Sequence, residues 1–398
     1  MKKSKKKSNQ KNEIKPNILG IDFGTINSRI GIWRNDKVDI IPNANSNSIT
    51  SSITFTNNEI IIGNNPKINE FIENTIYDIK KLIGKKFSDE IIQKSMKLWN
   101  FKVEGDKDNN PLIIVNIKNE RKEHHPENIL SLILTQLKKS AEEYIGKEIN
   151  ESIIAVPFYF DEEQKNAIIK SGELAGFNVV NIIKEPIAAC IGYGYNNKID
   201  IDKKICVFDF GGGALDITIL KINEEKFEIL YSVGNSDLGG QYIDNILVEF
   251  CIKEFKEVHN IDISNNKKAL RRLKEKCHQI KHALSLVNED QIIIESIVKG
   301  IDLEIKIDRD LYNELCGDIF NQCINLLKDA IFKSGLKNNE IDNIILVGGS
   351  SKIPKIQEMI KNNFNVNNEK ERINTDEAIV LGTAILGIEN EILKKFKK

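Results

Sequence analysis

Apolar positions near the start of the chain fall into two short groups separated by a polar turn. The first group, Ile18–Ile21, leads into Asp22-Phe23-Gly24-Thr25, and the second lies within Ser28–Trp33. Short apolar runs that flank a glycine-containing turn are typical of a β-hairpin. We therefore predict a strand, a turn and a second strand here.

A second copy of this arrangement lies far downstream. The run Ile205–Phe208 leads into Asp209-Phe210-Gly211-Gly212-Gly213, and Leu215–Leu220 follows. The two aspartates are 187 positions apart (209 minus 22). A repeat at about half the chain length suggests a duplicated lobe, because the repeats of a solenoid are only ~20–50 residues long.

Elsewhere, helical and strand patterns alternate. Apolar residues keep three- and four-residue spacing over Pro126–Tyr144, Glu162–Ala175 and Asn266–Ser285, while Ile153–Pro157 and Ile344–Val347 are short apolar runs. Proline suits the first turn of a helix, as at Pro126. Strands that alternate with helices predict an α/β fold with helix-covered sheets.

Length and composition agree with a two-lobed globular protein. The chain has 398 residues, 40% of them hydrophobic and 29% charged, and a net charge of -1. This charge gives no bias toward nucleic acid or anionic lipid. No run approaches the ~20 apolar residues of a membrane span, and no signal peptide is apparent. We expect a cytoplasmic monomer without a nucleic-acid or membrane partner.

The predicted domains follow from the repeat. Residues 1–16 form a lysine-rich tail that we expect to be disordered, although a localisation or nucleic-acid-contacting segment is an alternative. Residues 17–198 form lobe I, on which residues 371–396 pack back, and residues 199–370 form lobe II. The cysteines form no C-x-x-C pair and mostly lie in apolar runs, so we predict buried free thiols.

Three glycine turns at strand ends are candidate phosphate-binding loops. They are Gly24-Thr25, Gly211-Gly212-Gly213 and Gly348-Gly349. Glycine lets backbone N–H groups approach an anion closely, although a single turn of this kind is also common in ordinary hairpins. Neither a P-loop nor a dinucleotide-binding motif is present. Asp22 and Asp209, one beside each hairpin turn, could anchor a hydrated Mg²⁺ with the phosphates or could cap the turns.

Three segments resemble the phosphate and adenosine signatures of the heat-shock protein 70 (DnaK-type) chaperone family. They are Gly20–Ser28, Val207–Asp216 and Leu346–Pro354, and supporting runs occur at Asp78–Gly84, Ile183–Ala189 and Asn374–Ala378. The resemblance runs from about residue 17 to 390 in family order. It implies the family's nucleotide-binding domain, with an actin-like ATPase (ribonuclease H-like) fold whose two lobes enclose a nucleotide cleft.

The resemblance also implies functional residues. The implied catalytic residues are Lys80, Glu185, Asp209 and Asp216, and the implied metal residues are Asp22 and Asp209. Lys80 would orient the attacking water near the γ-phosphate, and the family pattern selects it over Lys81, which the sequence alone does not separate. Glu185 would order the water and the hydrated Mg²⁺. Asp216 would hold a monovalent cation such as K⁺ or position the water.

The implied ATP or ADP contacts lie in five segments and at Asp376. They are Gly24, Thr25, Ile26, Asn27, Gly211, Gly212, Gly213, Gly239, Gly240, His278, Lys281, His282, Ser285, Gly348, Gly349, Ser350, Lys352 and Asp376. The four from His278 to Ser285 form one helical stripe that would face the adenosine, whereas the pattern alone favours a solvated face. The family usually has glutamate at 278 and arginine at 282. An imidazole at 282 lacks a fixed charge, so we expect weaker and pH-sensitive binding.

Other departures bear on activity. Ile26 and Ala214 each replace a threonine of the family's phosphate loops, and each lost hydroxyl would cost about 1–3 kcal/mol in the transition state. Lys165 replaces a coupling arginine beside the hinge proline, and Gln241 and Tyr242 replace an acidic pair. The family's interdomain linker and peptide-binding domain do not follow residue 387, so we expect either a truncated chain or a natural ATPase-only member, and Lys165 favours the second.

Two functions therefore remain open, with a third less favoured. The first is a slow ATPase whose lobes close on Mg-ATP and which could bind nucleotide-exchange factors or co-chaperones. The second is a degenerate nucleotide sensor with little hydrolysis. A sugar kinase of the same broad fold is the third.

Overall fold

The computed structural model describes residues 18–43, 46–65, 68, 70–197, 201–223, 227–364 and 373–388. The predicted tail at 1–16, the predicted lobe boundary at 198/199 and both ends of the segment 371–396 lie outside these residues.

Strands and helices alternate along the described chain, as the sequence pattern predicts. The strands are β1 (Ile18–Phe23), β2 (Asn27–Arg34), β3 (Lys37–Ile40), β4 (Ile49–Thr50), β5 (Ile53–Phe55), β6 (Ile60–Ile62), β7 (Thr75–Ile76), β8 (Lys102–Gly105), β9 (Pro111–Ile117), β10 (Glu120–His124), β11 (Glu151–Val156), β12 (Asn178–Lys184), β13 (Lys204–Phe210), β14 (Leu215–Ile222), β15 (Phe227–Asn235), β16 (Glu289–Val298), β17 (Ile301–Asp308) and β18 (Asn343–Val347). The helices are α1 (Glu90–Ser95), α2 (Pro126–Ile145), α3 (Glu162–Leu174), α4 (Glu185–Asn197), α5 (Gly240–His259), α6 (Lys267–Ala283), α7 (Arg309–Leu315), α8 (Gly317–Lys333), α9 (Pro354–Asn363) and α10 (Ala378–Leu386). Short 3₁₀ turns cover Ile72–Asn74, Ile79–Lys81, Asn338–Glu340 and Gly349–Lys352.

Local sequence signals set the helix ends. Pro126 occupies the first turn of α2, which ends at Gly146 in a left-handed conformation (φ 78°). Asp161 and Gln164 form a capping box at the start of α3. The Asn266 side chain accepts a hydrogen bond from the backbone N–H of Ala269 and caps α6. The predicted helices are therefore present, with ends that differ by one or two residues.

Two sheets carry the predicted hairpins. The larger has the strand order β12-β11-β1-β2-β3, with β4 paired to β2, and the other has the order β15-β14-β13-β18. β1 pairs antiparallel with β2 and parallel with β11, and β13 pairs antiparallel with β14 and parallel with β18. The two hairpins thus occupy equivalent places in the two sheets. The mixed α/β prediction and both hairpins are confirmed.

A third hydrophobic cluster joins the two sheets. It contains buried residues of β11, β13 and β18 together with much of α4 and α10, whereas two larger clusters fill the cores beside each sheet. α10 packs against α4 and β1. The pair α4 and α10 therefore lies where both sheets meet and fixes the hairpins on the same side of the molecule.

The six cysteines are buried free thiols, as the sequence predicts. Among the described residues, no helix has the length and apolar character that crossing a bilayer requires.

Glycines at the contacts of α10 with α4 and β1 allow the backbones to approach closely. A Cβ at Gly382 would lie 1.8 Å from the backbone oxygen of Ala188 in α4, and one at Gly192 would lie 2.3 Å from the oxygen of Ala378. A Cβ at Gly20 of β1 would lie 2.5 Å from the backbone nitrogen of Ala384. These neighbours are backbone atoms, so they cannot move aside as a flexible side chain could.

We predict that Gly382→Ala lowers the thermal unfolding temperature by several degrees. The added methyl group would overpack the contact between α4 and α10, and overpacking costs about 1–3 kcal/mol. The control is Gly317→Ala in α8, where an added Cβ meets no atom within 4 Å. Equal unfolding temperatures of the two variants, measured by circular dichroism, would contradict the prediction.

Candidate functional site

One cavity lies between the two hairpin turns and the turn that follows β18. The predicted residues that line it are Asp22, Gly24, Thr25, Ile26, Asn27, Lys80, Glu185, Asp209, Gly211, Gly212, Gly213, Asp216, His278, Lys281, His282, Ser285, Gly348, Gly349, Ser350 and Asp376. The predicted residues Gly239, Gly240 and Lys352 do not line it. Residues more than 350 positions apart in the sequence therefore meet at one place.

The hairpin turns contact each other directly. A Cβ at Gly212 would lie 2.1 Å from Cδ1 of Ile26, and a Cβ at Gly213 would lie 2.7 Å from Cγ2 of Thr25. A larger residue at either glycine would have to displace the side chain of Ile26 or Thr25. The contact exposes the backbone of both turns to the same cavity, which is the arrangement that a polyphosphate needs.

Glycines outside the cavity support the second turn. The N–H of Gly240 donates to the Gly211 oxygen at 3.0 Å, and a Cβ at Gly239 would lie 2.6 Å from the Gly212 oxygen. Gly239 and Gly240 therefore act through the backbone of the turn, and their own surfaces do not line the cavity.

The turn after β18 is tied to the second hairpin and to the segment before α10. Ser350 Oγ donates to the Gly211 oxygen at 3.1 Å, and Gly348, in a left-handed conformation (φ 81°), donates its N–H to the Thr375 oxygen. Lys352 forms an ion pair with Asp376 at the rim. Lys352 is therefore a rim residue that holds Asp376.

Buried carboxyl groups crowd one end of the cavity. Burial, followed by the charge of Glu185, raises the pKa of Asp22 to about 6 and that of Asp216 to about 7. The same two causes raise the pKa of Asp209 well above its usual range. These carboxyl groups destabilise one another when they are all ionised.

Lys80 is the basic partner of this cluster. Its Nζ lies 2.5 Å from Oε1 of Glu185. Burial alone would lower the pKa of Lys80, but the charges of Glu185 and Asp22 outweigh it and raise that pKa. Lys81, in contrast, contacts Asp78 at 3.3 Å and does not line the cavity. The structure thus separates the two lysines, which the sequence alone does not.

The residues present fit a hydrated divalent cation. Three crowded carboxyl groups and Glu185 face one lysine, so a bound cation would offset their repulsion. In the described parts of the chain, no three His, Cys, Asp or Glu side chains form a ready metal site. An ion held mainly through water, with few protein ligands, is the mode that Mg²⁺ prefers.

One atom of this cluster has an unused hydrogen-bonding capacity. Asp216 Oδ1 is buried and has no hydrogen-bond partner among the described residues. It lies against Gly234, where a Cβ would be 2.2 Å away. A buried unpaired oxygen of this kind is costly and fits a bound cation or water.

The predicted stripe on α6 faces the cavity but is less solvated than its pattern indicates. Lys281 is buried, and its Nζ lies 2.7 Å from Oδ1 of Asp244 and donates to the Gly240 oxygen at 2.8 Å. His278 Nδ1 lies 3.1 Å from Oδ2 of Asp244. Lys281 thus links the stripe to the start of α5, next to the second hairpin turn.

The surroundings of His282 lower the pKa of its imidazole below the ordinary value. Burial lowers its pKa to about 4, and the charges of His278 and Lys281 act in the same direction. The His282 ring packs edge-on against His278, with ring centroids 4.7 Å apart. His282 is therefore neutral in the free protein at physiological pH.

Some lining residues were absent from the predicted site. They are Arg29, Pro157, Tyr159, Ala214, Val347, Ile353, Thr375 and Ile379. A signal for Arg29 exists in the repeat, because it follows Asp22 by seven residues as Asp216 follows Asp209. Val347 and Ile353 lie inside the signature Leu346–Pro354, and Ala214 lies inside Val207–Asp216, although none of them was assigned a contact.

We predict that Asp216→Asn stabilises the free protein at high pH. The folded pKa near 7 exceeds the ordinary value of 3.8, so the stability from protonated Asp216 is lost as the pH rises from about 4 to 7. Asparagine mimics the protonated group, so the variant should unfold about 5 °C above the wild type at pH 8. This difference should vanish near pH 4.

The experiment uses thermal unfolding without nucleotide or divalent metal. The control is Asp237→Asn, at an exposed carboxyl group outside this cavity. A difference between Asp216→Asn and the wild type that stays constant from pH 4 to 8 would contradict the assigned shift.

Comparison with known proteins identifies the family. The family model described as Hsp70 protein matches residues 18–394. The chain is 42% identical over 373 residues to "Heat shock cognate 70 kDa protein 3" of Dictyostelium discoideum, an alignment that covers 92% of this chain and 59% of that protein. It is 40% identical over 370 residues to "Heat shock 70 kDa protein" of Emericella nidulans, which covers 92% of this chain and 57% of that relative.

The chain spans less than two thirds of the length of these relatives. The match nonetheless covers both hairpins, the turn after β18 and α10. The chain therefore belongs to the Hsp70 protein family, corresponds to its ATPase region, and has the actin-like ATPase fold of that region.

Proposed function

We propose that this chain binds Mg-ATP in the cavity and hydrolyses it slowly. The observation that carries the proposal is the contact of the two glycine turns, Gly212 and Gly213 against Ile26 and Thr25, beside a buried cluster of carboxyl groups. Backbone N–H groups at such turns bind phosphate, and the carboxyl groups suit a hydrated cation. ATPases of this family use ATP, ADP and Mg²⁺.

The protein's own groups would act by positioning and charge. The ammonium of Lys80, held by Glu185, would orient a water molecule toward the γ-phosphate and offset charge in the transition state. The carboxylate of Glu185 would accept a hydrogen bond from that water. A bound Mg²⁺, held through Asp22 and Asp209, would supply charge neutralisation of the phosphates.

The base and sugar would bind beside α6. His278, Lys281, His282 and Ser285 line the cavity together with the turn at Gly348–Ser350. A neutral His282 can stack on a base but adds no charge. We propose that ATP and ADP contact the predicted residues that line the cavity. The other three, Gly239, Gly240 and Lys352, would act indirectly by supporting those residues.

The lobes and partners belong to the same proposal. Lobe I comprises 17–198 with 371–396 packed back on it, lobe II comprises 199–370, and their closure on Mg-ATP is the output. The monovalent cation is K⁺ beside Asp216. The protein is a cytoplasmic monomer that binds nucleotide-exchange factors or co-chaperones.

A nucleotide sensor with little hydrolysis is the second candidate. Ile26 and Ala214 both line the cavity, and neither has a hydroxyl group to donate to a phosphate oxygen. Each missing hydrogen bond would slow hydrolysis ~10- to 100-fold and leave binding through the backbone intact.

We predict that Lys80→Ala removes most ATP turnover, because it removes the cation that faces the attacking water. The measurement is steady-state phosphate release at saturating Mg-ATP. The matched control is Lys81→Ala, because Lys81 is adjacent in sequence but contacts Asp78 outside the cavity. Full turnover by the Lys80 variant would remove that residue from the mechanism.

A single-turnover experiment separates the hydrolase from the sensor. Calorimetry first measures the affinity for Mg-ATP, and phosphate release is then followed with protein in excess. The hydrolase predicts release above the uncatalysed rate, and Ala214→Thr together with Ile26→Thr should accelerate it. Tight binding without release above that rate supports the sensor, and the absence of binding would refute both.

A further inference from the structure

The repeat places a cation and an acid at equivalent positions. Arg29 pairs across β1 and β2 with Asp22, and Asp216 pairs across β13 and β14 with Asp209. Side chains directly opposite on an antiparallel pair project from the same face, close together. Arg29 accordingly lines the cavity, and its charge acts on the pKa of Asp22.

The guanidinium group of Arg29 has unused donors. Only 14% of its side chain is exposed, and its Nη2 lies 3.7 Å from Oδ1 of Asp376, which is too long for a hydrogen bond. The other oxygen of Asp376 is taken by Lys352. Within the described residues, the guanidinium of Arg29 makes no hydrogen bond, although it carries five N–H donors. A nearly buried cation in this state has room for an anionic acceptor.

The position of Arg29 indicates which anionic group its guanidinium would bind. Asp22 lies beside the first glycine turn, and Asp376 adjoins the third, where a Cβ at Gly349 would lie 3.4 Å from Asp376 Oδ1. Arg29 therefore lies between Asp22 and Asp376. A nucleotide with its phosphates at the glycine turns and its base beside α6 would pass the guanidinium with its inner phosphates. The planar fork of arginine matches phosphate oxygens in geometry and charge.

We propose that Arg29 binds the α/β-diphosphate of the nucleotide. This inference rests on the proposed function, because it requires nucleotide in the cavity. It adds a residue that distinguishes a nucleoside diphosphate from a nucleoside. A competing role is purely structural, in which Arg29 only holds Asp376 in place.

The test compares ADP with adenosine. Calorimetry of the full chain with Mg²⁺ measures both affinities for the wild type, Arg29→Gln, Arg29→Lys and Asp376→Asn. Loss of the charged hydrogen bonds should weaken ADP binding about tenfold in Arg29→Gln and change adenosine binding less than twofold. Arg29→Lys keeps the positive charge but loses the planar guanidinium, so its affinity for ADP should fall about threefold. This variant replaces Arg29→Gln in the test if the glutamine variant does not fold.

Arg34→Gln is the matched control, because Arg34 lies on the same strand but outside the cavity. It should bind both ligands as the wild type does. Unchanged ADP affinity in both Arg29 variants would overturn the proposal. Equal losses for ADP and adenosine, as in Asp376→Asn, would also overturn it in favour of the structural role. A wild type that binds neither ligand would instead refute the proposed function, and this inference with it.

Discussion

The close approach of two hairpin turns is the constraint on which the rest of the site depends. Gly212 and Gly213 leave no side chain between their turn and Ile26 and Thr25. A larger residue at either glycine would separate the turns and widen the gap between their backbone N–H groups. The supports from Gly240 and Ser350 matter because they hold the second turn against the first.

Bringing the turns together also concentrates negative charge. Asp22 and Asp209 each precede a turn, so the contact that builds the anion site also brings two carboxyl groups together, and Asp216 and Glu185 line the same cavity. The raised pKa values of Asp22, Asp209 and Asp216 show that ionising these groups together is unfavourable in the free protein. A cation relieves that cost, so affinity for metal and phosphate follows from the same geometry.

The sequence predicts the hairpins, the main helices and most residues of the cavity, because glycine turns after apolar strands have a strong local signature. It does not predict contacts made at a distance. The pairing of Lys80 with Glu185, which sets it apart from Lys81, depends on how a 3₁₀ turn meets the start of α4. The burial of Lys281 depends on Asp244 of α5. The low pKa of His282 likewise reflects tertiary surroundings, which a helical pattern does not contain.

The glycine contacts between α4 and α10 carry a consequence for motion. With no Cβ between them, the backbones of α4 and α10 pack directly on each other, and such close packing transmits strain. This helix pair contributes to the hydrophobic cluster that joins the two sheets, so any rotation of one sheet relative to the other would have to be accommodated at this contact.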